Sequence, residues 1–318
     1  MRSAPSTGLV PYFIISIGGT DYASRLEYIE HHEEPYRDRA IIGLNNRDNA
    51  LDSLDLTGQS FEIQYGWDSV AAPTATLWVK SYQIISVEGE RIYQIYAEGI
   101  WMALREMKVM AGINDAEADI YSTTFNATYT VRELINLVLT SVGFTLSGSP
   151  DDGIITTFKP IFIINQLPFE SAASVLYRLI WMVKCYLRPK PSSTLELVYP
   201  QAADVEDEIY YSNQSPYFDE YDGKVSLLIP NSIVVLCQDI NGNILVGTGS
   251  DTTEIAKYHE VIEPYIDNSI TTQTDADNRA AVILSKIKAE IPGGRVIPLK
   301  HDCRVELYDK VQVSDVRT

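Results

Sequence analysis

TDADNRAAVILSKIK at residues 274–288, then Ile291-Pro-Gly-Gly294, RVIPL at 295–299 and VELYDKVQV at 305–313, form the last part of a chain of 318 residues. The first run predicts a helix over 275–290, with Pro292 and the glycine pair as its stop. Two strands are predicted after it, 295–299 and 303–313. In the second, Val305, Leu307, Val311 and Val313 fall on one side of the chain, expected to face inward, and Tyr308-Asp309-Lys310 makes an exposed polar corner. One helix is thus expected to deliver the chain into a half-buried antiparallel sheet.

Upstream, 225–229 and 233–238 read as strands, and Asp239-Ile-Asn-Gly-Asn243 supplies an Asn-Gly hairpin turn before Ile244. Together these predict an antiparallel barrel over 223–318, helix 275–290 included. Before it, 204–222 combines seven acidic residues with Tyr210, Tyr211, Tyr217, Phe218 and Tyr221, too aromatic for a disordered acidic tail. It is either a strand pair with a charged outer face or an interaction loop. Tyrosine joins an apolar body to a polar tip, so Tyr210, Tyr211, Tyr217 and Phe218 are the candidate partner surface, with packing inside the chain an equal alternative.

Thr130-Val-Arg-Glu133 has the form of a capping box, and Val131, Leu134, Ile135, Val138 and Leu139 recur at helical spacing up to Gly143. A second helix is predicted over 169–183 on the stripe Ala173, Leu176, Tyr177, Ile180 and Trp181. The run 185–200 then reads as strand, Pro/Ser turn and strand. Residues 106–222 therefore form a mixed α/β insertion ending in an acidic, tyrosine-rich linker. Residues 1–105 read as strands: 9–17, 60–67, and 76–87 and 91–101 about a turn at 88–90. The polar stretch 21–49 is expected to be mostly loop, with an edge strand at 39–44. The predicted fold class is β-rich α+β: two small antiparallel β-barrels (1–105 and 223–318) separated by the insertion.

A charge of −18, from 43 acidic against 25 basic residues, is a poor match to phosphate backbones and argues against tight nucleic-acid binding. Cys185, Cys237 and Cys303 are widely spaced within apolar runs, which argues against a disulfide framework or a zinc site and predicts small buried hydrophobes. No apolar run has signal-peptide or membrane-spanning length, so a soluble protein of a reducing cytoplasm without membrane insertion is expected. His31-His-Glu-Glu34 offers metal-ligand types, but its spacing does not match the helical zinc motif, and a solvated loop is expected. His259 and His301 stand alone. There is no nucleophile elbow, phosphate loop or dinucleotide fingerprint, and nothing places one of the many acids in an apolar pocket. No catalytic residue, metal or cofactor is therefore expected.

The closing residues 274–313 resemble the last domain of phage baseplate and tail-tip hub proteins. FESAASVLYRLIWMVKCYLRPKPSSTLELVYP (169–200) is similar to the helical insertion between the two barrels of such hubs. The resemblance implies a structural protein of the virion tail, made in the host cytoplasm. It implies a homotrimer whose barrels form a pseudo-sixfold ring, joining the tail tube protein to a central spike or tail fibre among other baseplate proteins, with DNA only as passing cargo. Ending at Thr318 implies a minimal hub or a spike carried on a separate polypeptide. The competing reading is a carbohydrate-binding adhesion module, and a third is a cell-wall glycosidase. The insertion between two barrels favours the hub, since a lectin sandwich has no need of it.

Overall fold

The computed structural model describes residues 11–67, 70–87, 89–109, 117–118, 122–166, 168–222, 227–290, 294–298, 302 and 304–317. Alternation builds its first part. Ala40, Ile42 and Leu44 share one face of the strand Arg37–Asn45, as Tyr93, Ile95 and Ala97 do on Glu90–Gly99, and all six are buried. These strands lie in a five-stranded sheet ordered Leu26–Glu34, Arg37–Asn45, Glu90–Gly99, Leu77–Val87, Ser60–Phe61. A four-stranded sheet, Thr20–Asp21, Pro11–Ile17, Ile63–Trp67 and Val70–Pro73, adds Ile15, Ile17 and Ile63 to the same core.

Two expectations change here. The polar stretch 21–49 holds two nine-residue strands, and Arg37–Asn45 is internal while Leu26–Glu34 forms the edge. An edge strand needs few apolar residues and is protected by charge, which is why LEYIEHHEE does not read as a strand by alternation. The strand expected over 91–101 stops at Gly99, and Ile100 and Trp101 open helix α1 (Ile100–Glu106). Gly99 is required by close approach, since a Cβ there would lie 2.6 Å from Asp38 Cβ.

In the middle of the chain α2 (Val131–Ser141) has the predicted capping box, with Glu133 N donating to Thr130 Oγ1 (3.3 Å) and Thr130 N to Glu133 Oε2 (2.8 Å). Helix α3 (Ala172–Ile180) buries Ala172, Val175, Leu176 and Leu179, whereas Tyr177 of the expected stripe turns outward against Tyr36. The hairpin Tyr186–Lys190 and Thr194–Val198 forms as predicted and gains Thr145–Ser147 as a parallel third strand.

Farther on, Ser232–Gln238 and Ile244–Ser250 pair about the Asn-Gly turn. After the short helix α4 (Thr252–Lys257), Ile262–Ile266 adds to Ser232–Gln238 in parallel, and α5 (Gln273–Glu290) covers one face of the sheet. Of the strand expected at 225–229, residues 227–229 are not a strand and 225–226 lie outside the described residues. Glu208–Tyr211 pairs in parallel with Val311–Ser314, and Phe218–Asp222 pairs antiparallel with Arg295–Pro298. The architecture is β-rich α+β, with parallel pairs in its closing part. A second core runs from Ile100 to Leu284, and α5 is tied into the middle of the chain by Arg279 donating to Trp181 O and by buried Lys286 donating to Cys185 O. Cys185 and Cys237 are buried free thiols, and burial pushes both pKa values up. Cys303, like His301, lies outside the described residues.

The strand expected over 303–313 is a correction. Residues 304–310 form a turned segment, with Tyr308 at φ 74°, and only Val311–Ser314 is strand. Val305, Leu307 and Val313 are half-buried and Val311 is exposed, so they do not form a buried inward face. Ion pairing decides this path. Glu306 and Asp309 reach Lys190 (2.7 Å) and Arg188 (2.6 Å), which draws the chain across the central hairpin instead of into a hairpin of its own.

Candidate functional site

One end of the first sheet is polar on its inner side. His31 and Glu33 lie two apart on Leu26–Glu34 and so share a face, and Asp38 stands opposite Glu33 on the next strand. His31-His-Glu-Glu34 is therefore strand, not the expected loop. His31 Nε2 lies 2.9 Å from Asp38 Oδ1 and 3.9 Å from Glu33 Oε1. Burial works against an imidazolium at His31, but the Asp38 hydrogen bond and the nearby carboxylates outweigh it and raise the pKa. Burial raises the Glu33 pKa, against the pull of His31.

The central hairpin closes this end. Ser192 N donates to Glu62 Oε1 (2.7 Å) and Ser193 N to Thr76 Oγ1 (2.9 Å). Arg188, largely buried, pairs with Glu196 (3.0 Å) and Asp309 (2.6 Å) and donates to Leu307 O (3.3 Å). Between hairpin, sheet and the 304–310 turn lies a cavity of about 30 Å³, bordered by Glu33, Asp38, Thr74, Lys190 and Glu306.

The predicted aromatic partner surface divides. Tyr210 is buried, its hydroxyl donating to Asp302 (3.1 Å), while Arg304 joins Asp302 to Glu208. Burial, with Asp302 close by, raises the Tyr210 pKa. Phe218 is also buried. Tyr211 is half-buried and Tyr217 exposed, so these two, with exposed Tyr221, are what the segment offers a partner.

A surface not anticipated from the sequence lies on the sheet face away from α5. Leu236 stands opposite Val246 and Ile266, Gln238 opposite Ile244, and Ser232 opposite Ile262. Ile266 is 78% exposed and Ile244 70%. The signal was present, since 233–237 is apolar in both parities, and such a strand has two apolar faces to cover. Among the described residues no helix is long and apolar enough to cross a membrane.

Solved structures share this fold over nearly the whole chain. The tail protein from Neisseria meningitidis MC58 superposes with a TM-score of 0.64 at 13% identity, covering 96% of this chain and 87% of that one. The 43 kDa tail protein of prophage MuSo2 from Shewanella oneidensis gives a TM-score of 0.62 at 12% identity, covering 96% and 89%. No family model matches the chain, and no curated protein matches it in sequence. The fold is that of tail proteins, in line with the resemblance carried by residues 169–200 and 274–313.

Proposed function

We propose that this chain is a structural hub subunit of a phage tail or related injection device, located in the baseplate or tail tip. Three copies form a ring that joins the tail tube to a central spike or fibre, and DNA passes without being bound. The division into 1–105, 106–222 and 223–318 belongs to the same proposal. The observation that carries it is the fold shared with two tail proteins from end to end. The net charge of −18 suits a surface past which DNA slides, and half-buried Tyr211 with exposed Tyr217 and Tyr221 suits contact with a neighbouring tail protein. The role is structural, not catalytic. Closed rings of identical subunits carry a defined symmetry, so the test is imaging of intact particles containing the labelled chain. Three copies about the tail axis are expected. Six copies, a single copy, or a position on the outer fibres would overturn the hub reading.

A further inference from the structure

We infer that His31, Glu33 and Asp38 form a binding site for a single divalent transition-metal ion of the zinc class at the end of the five-stranded sheet that the central hairpin closes. One ligand atom from each residue lies within 4.8 Å of the other two. Donors around a tetrahedral ion at bond lengths of ~2.0–2.1 Å stand about 3.4 Å apart. The two distances from His31 Nε2, 2.9 Å to Asp38 and 3.9 Å to Glu33, bracket that value. The strand geometry supplies the rest. The i, i+2 spacing puts the imidazole and one carboxylate on the same face, and the antiparallel register brings the second carboxylate alongside, so no helical ligand motif is needed.

Asp38 carries the independent observation. Its residue is 5% exposed, Oδ1 faces His31, and Oδ2 is buried with no hydrogen-bond partner. Oδ2 packs against Gly99, so the carboxylate's one open coordination side is Oδ1. A carboxylate buried this deeply is costly without a counter-charge, which a cation at Oδ1 supplies. The surroundings are acidic on balance: Glu33, Asp38, Glu196, Glu306 and Asp309 against Arg188 and Lys190. The adjoining cavity of about 30 Å³ exceeds the roughly 10–15 Å³ that one water needs, which leaves room for a water as fourth ligand. The imidazole with two carboxylates selects a zinc-class ion over magnesium or calcium. On binding, the ion displaces the proton shared by Nε2 and Asp38 Oδ1.

The test is titration of zinc chloride into the chelator-stripped full chain, followed by calorimetry. One equivalent is expected, with affinity falling more than tenfold in both His31→Ala and Glu33→Gln. His32→Ala, on the opposite strand face, should bind as the unaltered chain does. Far-UV circular dichroism reports folding. Should His31→Ala fail to fold, Glu33→Gln decides, because it preserves side-chain shape at a partly exposed position. Absence of zinc uptake, or undiminished uptake by Glu33→Gln, overturns the site and leaves the hub reading untouched.

Discussion

Lys310 ties the acidic loop before the first tyrosine strand to the closing ribbon. Its Nζ donates to Ala202 O (2.9 Å) and Asp204 O (2.6 Å) and pairs with Glu206 (3.2 Å). An ammonium bonded to two carbonyls is worth more than a surface ion pair, although a third of this side chain remains solvated. Lys310→Ala should therefore cost about 1 kcal/mol, seen as a lower urea midpoint at unchanged slope. The expectation of an exposed polar corner at Tyr308-Asp309-Lys310 does not hold: all three are half-buried, and Lys310 has the partners above. At Asp48 the Arg25 guanidinium (2.7 and 2.9 Å), followed by the Ala50 N–H, holds the carboxylate pKa down to about 2 from 3.8. A depressed pKa gives a contribution present above about pH 4 and lost as the pH falls toward 2. Arg25→Gln should return the Asp48 midpoint toward 3.8, measured by carboxyl NMR.

At the scale of elements, the contact between α5 and Ile244–Ser250 is set by small residues. A Cβ on Gly247 would lie 2.1 Å from Ala276 O, and one on Gly249 3.0 Å from Ala280 C. Both obstacles are helix backbone, which has no rotamer to change. Gly247→Val should thus lift α5 from the sheet at a cost of about 3 kcal/mol or more. Thr248→Val, one residue on and facing outward, should stay within about 0.5 kcal/mol. Thermal melting of the pair checks this, and equal melting temperatures would mean that α5 does not lie against that strand. The predicted helix over 275–290 and the Asn-Gly hairpin were both legible because their signals are local: a stop sequence and a turn dipeptide. The glycines that seat one on the other carry no such signal, since their meaning depends on a helix nearly 30 residues away.

For the molecule as a whole, Arg188 is the hinge pin between the middle of the chain and its closing segment. Its side chain is 14% exposed and meets Glu196, Glu306, Asp309 and Leu307 O. Removing one member of such a set leaves carboxylates without their cation, and a loss of about 2–4 kcal/mol is expected for Arg188→Ala. The 304–310 turn should become the earliest site of limited proteolysis, identified by mass spectrometry, while the five- and four-stranded sheets of the first core remain intact. First cleavage elsewhere at the unaltered rate would show that the turn is held by other contacts.

The sequence alone determined the β-rich α+β class, the Thr130–Glu133 cap, the 186–198 hairpin and, in the first core, the strands Pro11–Ile17, Ile63–Trp67, Leu77–Val87 and Glu90–Gly99, because each rests on alternation, a cap or a turn within a few residues. The tertiary structure decided what those signals do not encode. It made Leu26–Glu34 a strand by pairing it with a neighbour, brought Asp38 to His31 and turned Tyr210 and Phe218 inward. It also bent 304–310 toward Arg188, 121 residues from its partner Asp309. A contact over that separation is chosen by the packing of whole elements and the burial of opposite charges, which local periodicity cannot express.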